Sequence, residues 1–183
     1  MSDKKVLDDF IGDYKLNRKE GISLVSASDL SQLKSAGYTS EDLFNHLIEH
    51  YQSLLHGSRT EISDDHLKQN GAGKVYGSDL ASIALMRSIV SNRGLEYPGL
   101  QYPYFIDAEH PLEVRVHGIN DDTIGQNGFI YIINQRDGFE NDPKGSWQYV
   151  RTGQDVPIVA KIAVEKSDFT YPIFDVTNNK RIQ

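Results

Sequence analysis

Leu54-Leu55-His56-Gly57-Ser58-Arg59 and Lys74-Val75-Tyr76-Gly77-Ser78-Asp79 are the two stretches on which the fold turns, with the Gly-containing loop Gln69-Asn70-Gly71-Ala72-Gly73 between them. They can be read in two ways. Leu43, Phe44, Leu47, Ile48, Tyr51, Leu54 and Leu55 all fit one helical face. A helix opening at Ser40 could therefore run to His56 and end with Gly57 as its C′ glycine, and a His near a helix C-terminus is favourable in its own right. In the other reading Gln52-Ser53 breaks the helix and residues 54–58 are the end of a strand. The second stretch is then a strand bearing Tyr76. It feeds a helix capped by Ser78 or Asp79 that carries Leu80, Ile83, Ala84 and Ile89 and ends by Gly94, Pro98 and Gly99. The strand reading accounts for both stretches at once and is the one followed here.

Upstream the pattern is helical. Val6, Leu7, Phe10, Ile11 and Tyr14 recur at three- and four-residue steps, with Asp3 as a cap and Gly21 beyond the end. Ser26 or Ser28 opens a short second helix with Leu30 and Leu33, stopped near Gly37. Thr39 and Asp42 stand at capping-box spacing before the third. Downstream the signal is strand. Tyr102–Ile106 is one candidate. Leu112, Val114 and Val116 alternate with Glu113, Arg115 and His117. Phe129–Ile133 is a buried-strand run, and 157–164 and 171–176 are two more. Helices first and strands later, without βαβ alternation, predict an α+β fold. Residues 1–51 read as a helical N-terminal extension on a strand-rich body, 52–183, the whole forming one compact unit.

Composition narrows the function classes. The 183 residues hold Lys+Arg 19 against Asp+Glu 26, a net charge of −7, which argues against broad electrostatic binding to nucleic acid or anionic membrane. Zero Cys removes disulfide scaffolds, cysteine zinc sites, Fe–S clusters and thiol nucleophiles together. Asp8 and Asp9 interrupt any signal-peptide core, and no run approaches the ~20 apolar residues of a membrane span. The expectation is a cytoplasmic protein. There is no dinucleotide-fold glycine fingerprint, no Walker A sequence and no Gly-x-Ser-x-Gly elbow. His46 and His50 have i, i+4 spacing, but Glu49 directly precedes the second His, which is not the zincin order. The pair reads as ordinary, partly exposed histidines.

The His56-Gly57-Ser58 strand end, followed by a loop and then the Gly73-Lys74-Val75-Tyr76-Gly77-Ser78-Asp79 strand-to-helix element, resembles the H-Y-E branch of the ADP-ribosyltransferase superfamily, which includes the poly-ADP-ribose polymerases. The resemblance covers about residues 52 to 164 and leaves out the N-terminal helices. It implies a mixed, mostly antiparallel body of two small sheets around a cleft, with NAD as substrate. By resemblance, His56 holds a ribose hydroxyl on the adenosine side, the Gly57 main chain clamps the nicotinamide carboxamide, Ser58 donates to the carboxamide oxygen, and Tyr76 stacks on the nicotinamide ring.

The family's Glu, at the start of a late strand, falls here on Ser146 or Gln148, depending on which aromatic of Ser146-Trp147-Gln148-Tyr149 is matched. Neither side chain ionises as that role requires. Glu140 and Asp155 are nearby acids able to substitute spatially. A second stacking Tyr is missing from the helix after Tyr76, where Leu85-Met86-Arg87 stands.

The resemblance thus implies mono-ADP-ribosyl transfer to an unknown acceptor, with a protein as one candidate, weak or lost for want of a carboxylate. Gln148 and Glu140 are the candidate catalytic positions, and His56, Gly57, Ser58 and Tyr76 the NAD-binding ones. A different class remains beside it: a non-catalytic interaction protein of bacterial or phage origin that keeps the fold. An unrelated α+β protein with an accidental match is the third possibility.

Overall fold

The local signals at the N-terminus produce the helices expected of them. The structure, a computed structural model, describes residues 3–18, 21–91, 104–105, 113–116, 123–134, 136–142, 148–175 and 177–182. Helix α1 (Asp3–Asp13) buries Leu7, Phe10 and Ile11. Strand β1 (Ser23–Val25) follows, then α2 (Ala27–Ser35) and α3 (Ser40–Tyr51). Both later helices open on reciprocal capping boxes. The Asp29 N–H donates to Ser26 Oγ at 3.2 Å while the Ser26 N–H donates to the Asp29 carboxylate at 2.8 Å. Asp42 and Thr39 repeat the arrangement at 3.1 and 2.7 Å. Each box satisfies two otherwise orphaned donors. Tyr14 Oη donates to Asp29 at 2.8 Å and ties α1 to α2.

The long-helix alternative fails at Gln52. That residue takes a left-handed conformation (φ 54°), an unusual one for a side chain with a Cβ, and α3 ends there. Ser53 is then fully buried and its Oγ donates to Asn134 Oδ1 at 2.7 Å. Asn134 in turn donates to the carbonyls of Leu16 and Arg18 at 2.9 and 3.0 Å. This knot fixes where the chain leaves the helical layer and enters β2 (Leu54–Ser58).

The remaining described elements are β3 (His66–Leu67), β4 (Lys74–Ser78), α4 (Ala81–Ile89), β5 (Tyr104–Phe105), β6 (Glu113–Val116), β7 (Asn127–Ile133), β8 (Glu140–Asn141), β9 (Gln148–Thr152), β10 (Val156–Pro157), β11 (Ala160–Glu165), β12 (Ile173–Asp175) and β13 (Lys180–Arg181). The fold is α+β with mixed, mostly antiparallel sheets. Among the described residues the largest sheet has the order β1-β11-β7-β2-β4-β9-β8, antiparallel except for β1 beside β11. A second sheet, β13-β12-β6-β5, and the pair β10-β3 complete the strands.

One boundary needs correction. The segment 1–51 is not purely a helical extension, because β1 lies within it and pairs in parallel with β11, Ser23 to Ala160 through Val25 to Ile162. Leu30, Leu43 and Phe44 share one apolar cluster with Ile130, Ile132 and Ile162 of the sheet.

Alternation along the strands divides the sheet into two buried faces, because residues directly opposite in neighbouring strands point the same way. Leu55 lies opposite both Ile132 and Ser78, Gly57 opposite Ile130, and Ser78 opposite Gln148. This face meets the helices. Leu54, Val75, Tyr131 and Ile133 point the other way and form a second cluster with Leu67, Val156 and Ile158. Burial on both faces explains why Phe129–Ile133 reads as a continuous apolar run.

Helix α4 crosses the first face at very short range. A Cβ placed on Gly57 would lie 1.9 Å from the Ala84 carbonyl oxygen, and one on Gly128 1.9 Å from that of Ser88. Ala84 and Ser88 are one helical turn apart, while Gly57 and Gly128 are diagonal neighbours on β2 and β7, so two glycines seat two successive turns. Sequence reasoning explained Gly57 by the close approach of a ligand. The structure adds a demand that exists without any ligand, the close approach of α4.

Candidate functional site

β2 is bound unevenly by its neighbours. It pairs with β7 from Leu54↔Ile133 to Ser58↔Phe129, yet with β4 only at Leu55↔Ser78. Beyond that pair β2 and β4 part. The gap, roofed by α4, is a cavity of about 640 Å³, within the ~300–1,000 Å³ range usual for small-molecule sites. His56, Gly57 and Ser58 line it from β2, Tyr76 from β4 and Gln148 from β9, so three separated segments meet there. Ser78 and Gln148 are register partners, which sets Gln148 on the same face as Tyr76.

His56 bridges the parted strands. Its Nδ1 is 2.8 Å from the Tyr76 carbonyl oxygen. A carbonyl only accepts, so Nδ1 carries the proton and donates it. Burial above all, with the nearby Arg87 charge, holds the His56 pKa below its ordinary value, against the opposing pull of the Tyr76 bond. The ring is therefore neutral at pH 7, and Nε2 is left as a hydrogen-bond acceptor. Its imidazole also faces Tyr131, with ring centroids 6.2 Å apart.

Ser58 is engaged locally. Its hydroxyl donates to the Thr60 carbonyl at 2.8 Å and accepts from the Thr60 N–H at 3.2 Å. Donation to a ligand requires giving up the first of these bonds. Asn70 folds the intervening loop, with its side-chain oxygen accepting from the N–H groups of Ala72 and Lys74 at 3.0 and 3.1 Å, and it too lines the cavity. Ser78 Oγ accepts from the Leu80 N–H at 3.1 Å, just ahead of α4, rather than from an N–H within the helix. Asp79 accepts instead from Arg136 at 3.0 Å, whose guanidinium lies 4.4 Å from the Tyr149 ring centroid.

Arg59 and Arg87 line the cavity, and no Asp or Glu does among the described residues. Two guanidinium groups thus stand at the cavity of a chain whose net charge is −7. Sequence reading took Arg59 for a surface residue and gave Arg87 no role. Arg87 is three residues beyond Ala84, on the helix face seated on Gly57, a contact that only the fold makes.

The acids proposed as substitutes are elsewhere. Glu140 is exposed on edge strand β8, opposite Val150, and does not line the cavity. Asp155 pairs with Lys68 at 3.1 Å and accepts from the Gln69 N–H at 3.1 Å, near the β3–β10 pair. Ser146 and Trp147 lie outside the described residues. The acid that sequence reading missed is Asp142. It is buried, and its carboxylate accepts from Gln148 Nε2 at 2.9 Å. Nothing local in the sequence marks it, because the contact depends on how β8 folds back on β9.

The histidine pair departs from the expected partial exposure, since His46 is buried while His50 is exposed. His46 Nε2 lies 2.8 Å from Asp8 Oδ1, and the rings of His46 and His50 are 4.3 Å apart. No cluster of three or more metal-ligating side chains occurs among the described residues, and no helix among them is long and apolar enough to cross a membrane.

Comparisons with protein families, with curated proteins and with solved structures found no match to this chain.

Proposed function

We propose that the chain binds NAD in the β2–β4 cleft and transfers ADP-ribose from it, slowly, to an acceptor in the cytoplasm. The observation that carries this reading is the convergence of His56–Ser58, Tyr76 and Gln148, from three separate strands, on one cavity that Arg59 and Arg87 also line. NAD joins two nucleosides through a diphosphate, and Arg59 and Arg87 match that charge. Tyr76 offers an aromatic face to the cationic nicotinamide ring. His56 Nε2, fixed as an acceptor, suits a ribose hydroxyl.

In the reaction the bond from C1′ to the nicotinamide nitrogen breaks and its electron pair leaves with neutral nicotinamide. The acceptor oxygen or nitrogen bonds to C1′ and loses its proton; with water as acceptor the result is hydrolysis. Positive charge develops on the ribose, and a carboxylate there stabilises it far better than an amide does. With Gln148 in that place, turnover is slow and positioning supplies most of the catalysis.

A second reading has a specific observation behind it. The described lining holds no carboxylate, which suits a protein that binds the nucleotide without consuming it. Calorimetric titration with NAD, together with chromatographic measurement of released nicotinamide, separates the cases. Binding with slow release supports transfer. Binding without release supports the non-catalytic protein. No binding at millimolar NAD rejects both nucleotide readings and leaves the interaction protein that takes no NAD.

A further inference from the structure

We infer that Asp142 is a positioning residue for Gln148, holding the amide so that its carbonyl oxygen is presented to the cavity as a fixed acceptor for a ligand hydroxyl. The identification of that hydroxyl with a ribose of NAD rests on the function proposed above; the positioning itself does not.

The geometry leaves the amide one orientation. Gln148 Nε2 is 2.9 Å from Asp142 Oδ2, and a carboxylate only accepts, so the nitrogen faces Asp142 and Oε1 is the other end. The backbone locks the pair from the opposite direction, with the Asp142 N–H donating to the Gln148 carbonyl at 2.7 Å. Strand register carries both contacts. Glu140 opposes Val150 and Asn141 opposes Tyr149, which brings Asp142 level with Gln148. Gln148 lines the cavity and Asp142 does not, so the acid stands one residue back from the cleft.

Among the described residues, three charged groups are placed by the cavity or beside Ser78. Arg59 and Arg87 are cationic, and Asp79, next to the Gln148 partner Ser78, is engaged by Arg136. An anion behind a hydrogen-bonded amide polarises it and strengthens the acceptor at its far end. Position 148 thereby offers negative character without a titratable group in the cleft.

This arrangement makes an unexpected demand on engineering. Gln148→Glu alone sets two carboxylates at hydrogen-bond distance, where both cannot remain ionised and one holds a proton. Joining it to Asp142→Asn restores a donor, now on residue 142, and moves the charge into the cavity.

The test is carbon-detected NMR titration of the carboxyls in Q148E and in Q148E/D142N, alongside nicotinamide release from NAD. In Q148E one carboxyl of the pair should titrate at least about one unit above the ordinary carboxylate range. In the double variant the remaining carboxyl should return to that range, and kcat for nicotinamide release should rise about tenfold over Q148E with little change in KM. Ordinary titration of both carboxyls in Q148E overturns the inference.

Should Q148E not fold, the wild-type protein decides. The two Gln148 side-chain amide protons should be resolved, one of them shifted downfield by its hydrogen bond to the carboxylate, and that shift should be lost in D142A, whereas identical resonances in wild type and D142A overturn the inference. Neither measurement of the pair needs NAD. A failure of NAD to bind therefore counts against the proposed function alone.

Discussion

The two edges of β2 have different fates. Along one edge five successive residues pair with β7; along the other the ladder to β4 holds at Leu55↔Ser78 and stops. The paired edge contributes to the core. The parted edge makes a cleft, and the polar groups that a ladder would satisfy need other partners. The His56 ring supplies one of them by donating to the Tyr76 carbonyl. The lesson is that the candidate site arises from an interrupted sheet, with a side chain standing in for the missing backbone bond.

Four perturbations probe that contrast, in descending order of effect. Gly57→Ala attacks the seat of α4 shared by both edges. With a Cβ 1.9 Å from a helix carbonyl the backbone must move, and we expect a loss of about 3 kcal/mol or more in urea unfolding. Gly71→Ala, whose Cβ would meet nothing within 4 Å, is the control and should lie within about 0.5 kcal/mol of wild type.

On the parted edge, Tyr76→Ala should weaken NAD binding by about 1–3 kcal/mol by calorimetry, with a smaller effect on stability. An unchanged affinity would remove Tyr76 from the binding surface. On the paired edge, Tyr131→Phe deletes the hydroxyl that accepts from the Ile62 N–H at 2.6 Å. It should cost about 1 kcal/mol of stability, read from the same urea experiment.

The smallest effect concerns pH. The folded-state pKa of His56 lies below its ordinary 6.5, because burial disfavours the charged ring. The unfolded chain therefore takes up the proton first as pH falls. This contribution to stability is complete above about pH 6.5 and is lost below it, towards the folded value. Thermal melts between about pH 5 and 7.5 should show a shallower slope for His56→Gln than for wild type. Equal slopes would mean that His56 is not held neutral by the fold.

Legibility in the sequence followed the range of the interactions. The caps at Ser26–Asp29 and Thr39–Asp42 were readable because a capping box spans three residues and needs no tertiary partner. The run 129–133 was readable because burial on both faces leaves a continuous apolar signature, although the strand itself begins at Asn127. β1 was missed because three residues between Gly21 and Ser26 carry little pattern, and their partner β11 is far along the chain.

The end of α3 was open for a physical reason. Leu54 and Leu55 extend its apolar stripe, and only the left-handed turn at Gln52 breaks it. Within the site, the motif residues were found by type and spacing. Asp142 was not, since its contact exists only once β8 and β9 pair. Gly57 was understood in half, because a sequence does not reveal which neighbour comes close to a glycine.

The most direct test of the account is an NMR titration of the labelled wild-type protein with NAD, following backbone amide shifts residue by residue. The account predicts perturbations concentrated at 55–59, 76–78, the 83–91 face of α4 and 148, the residues around the parted edge of β2. Shifts confined to other surfaces, or none at millimolar NAD, would contradict it.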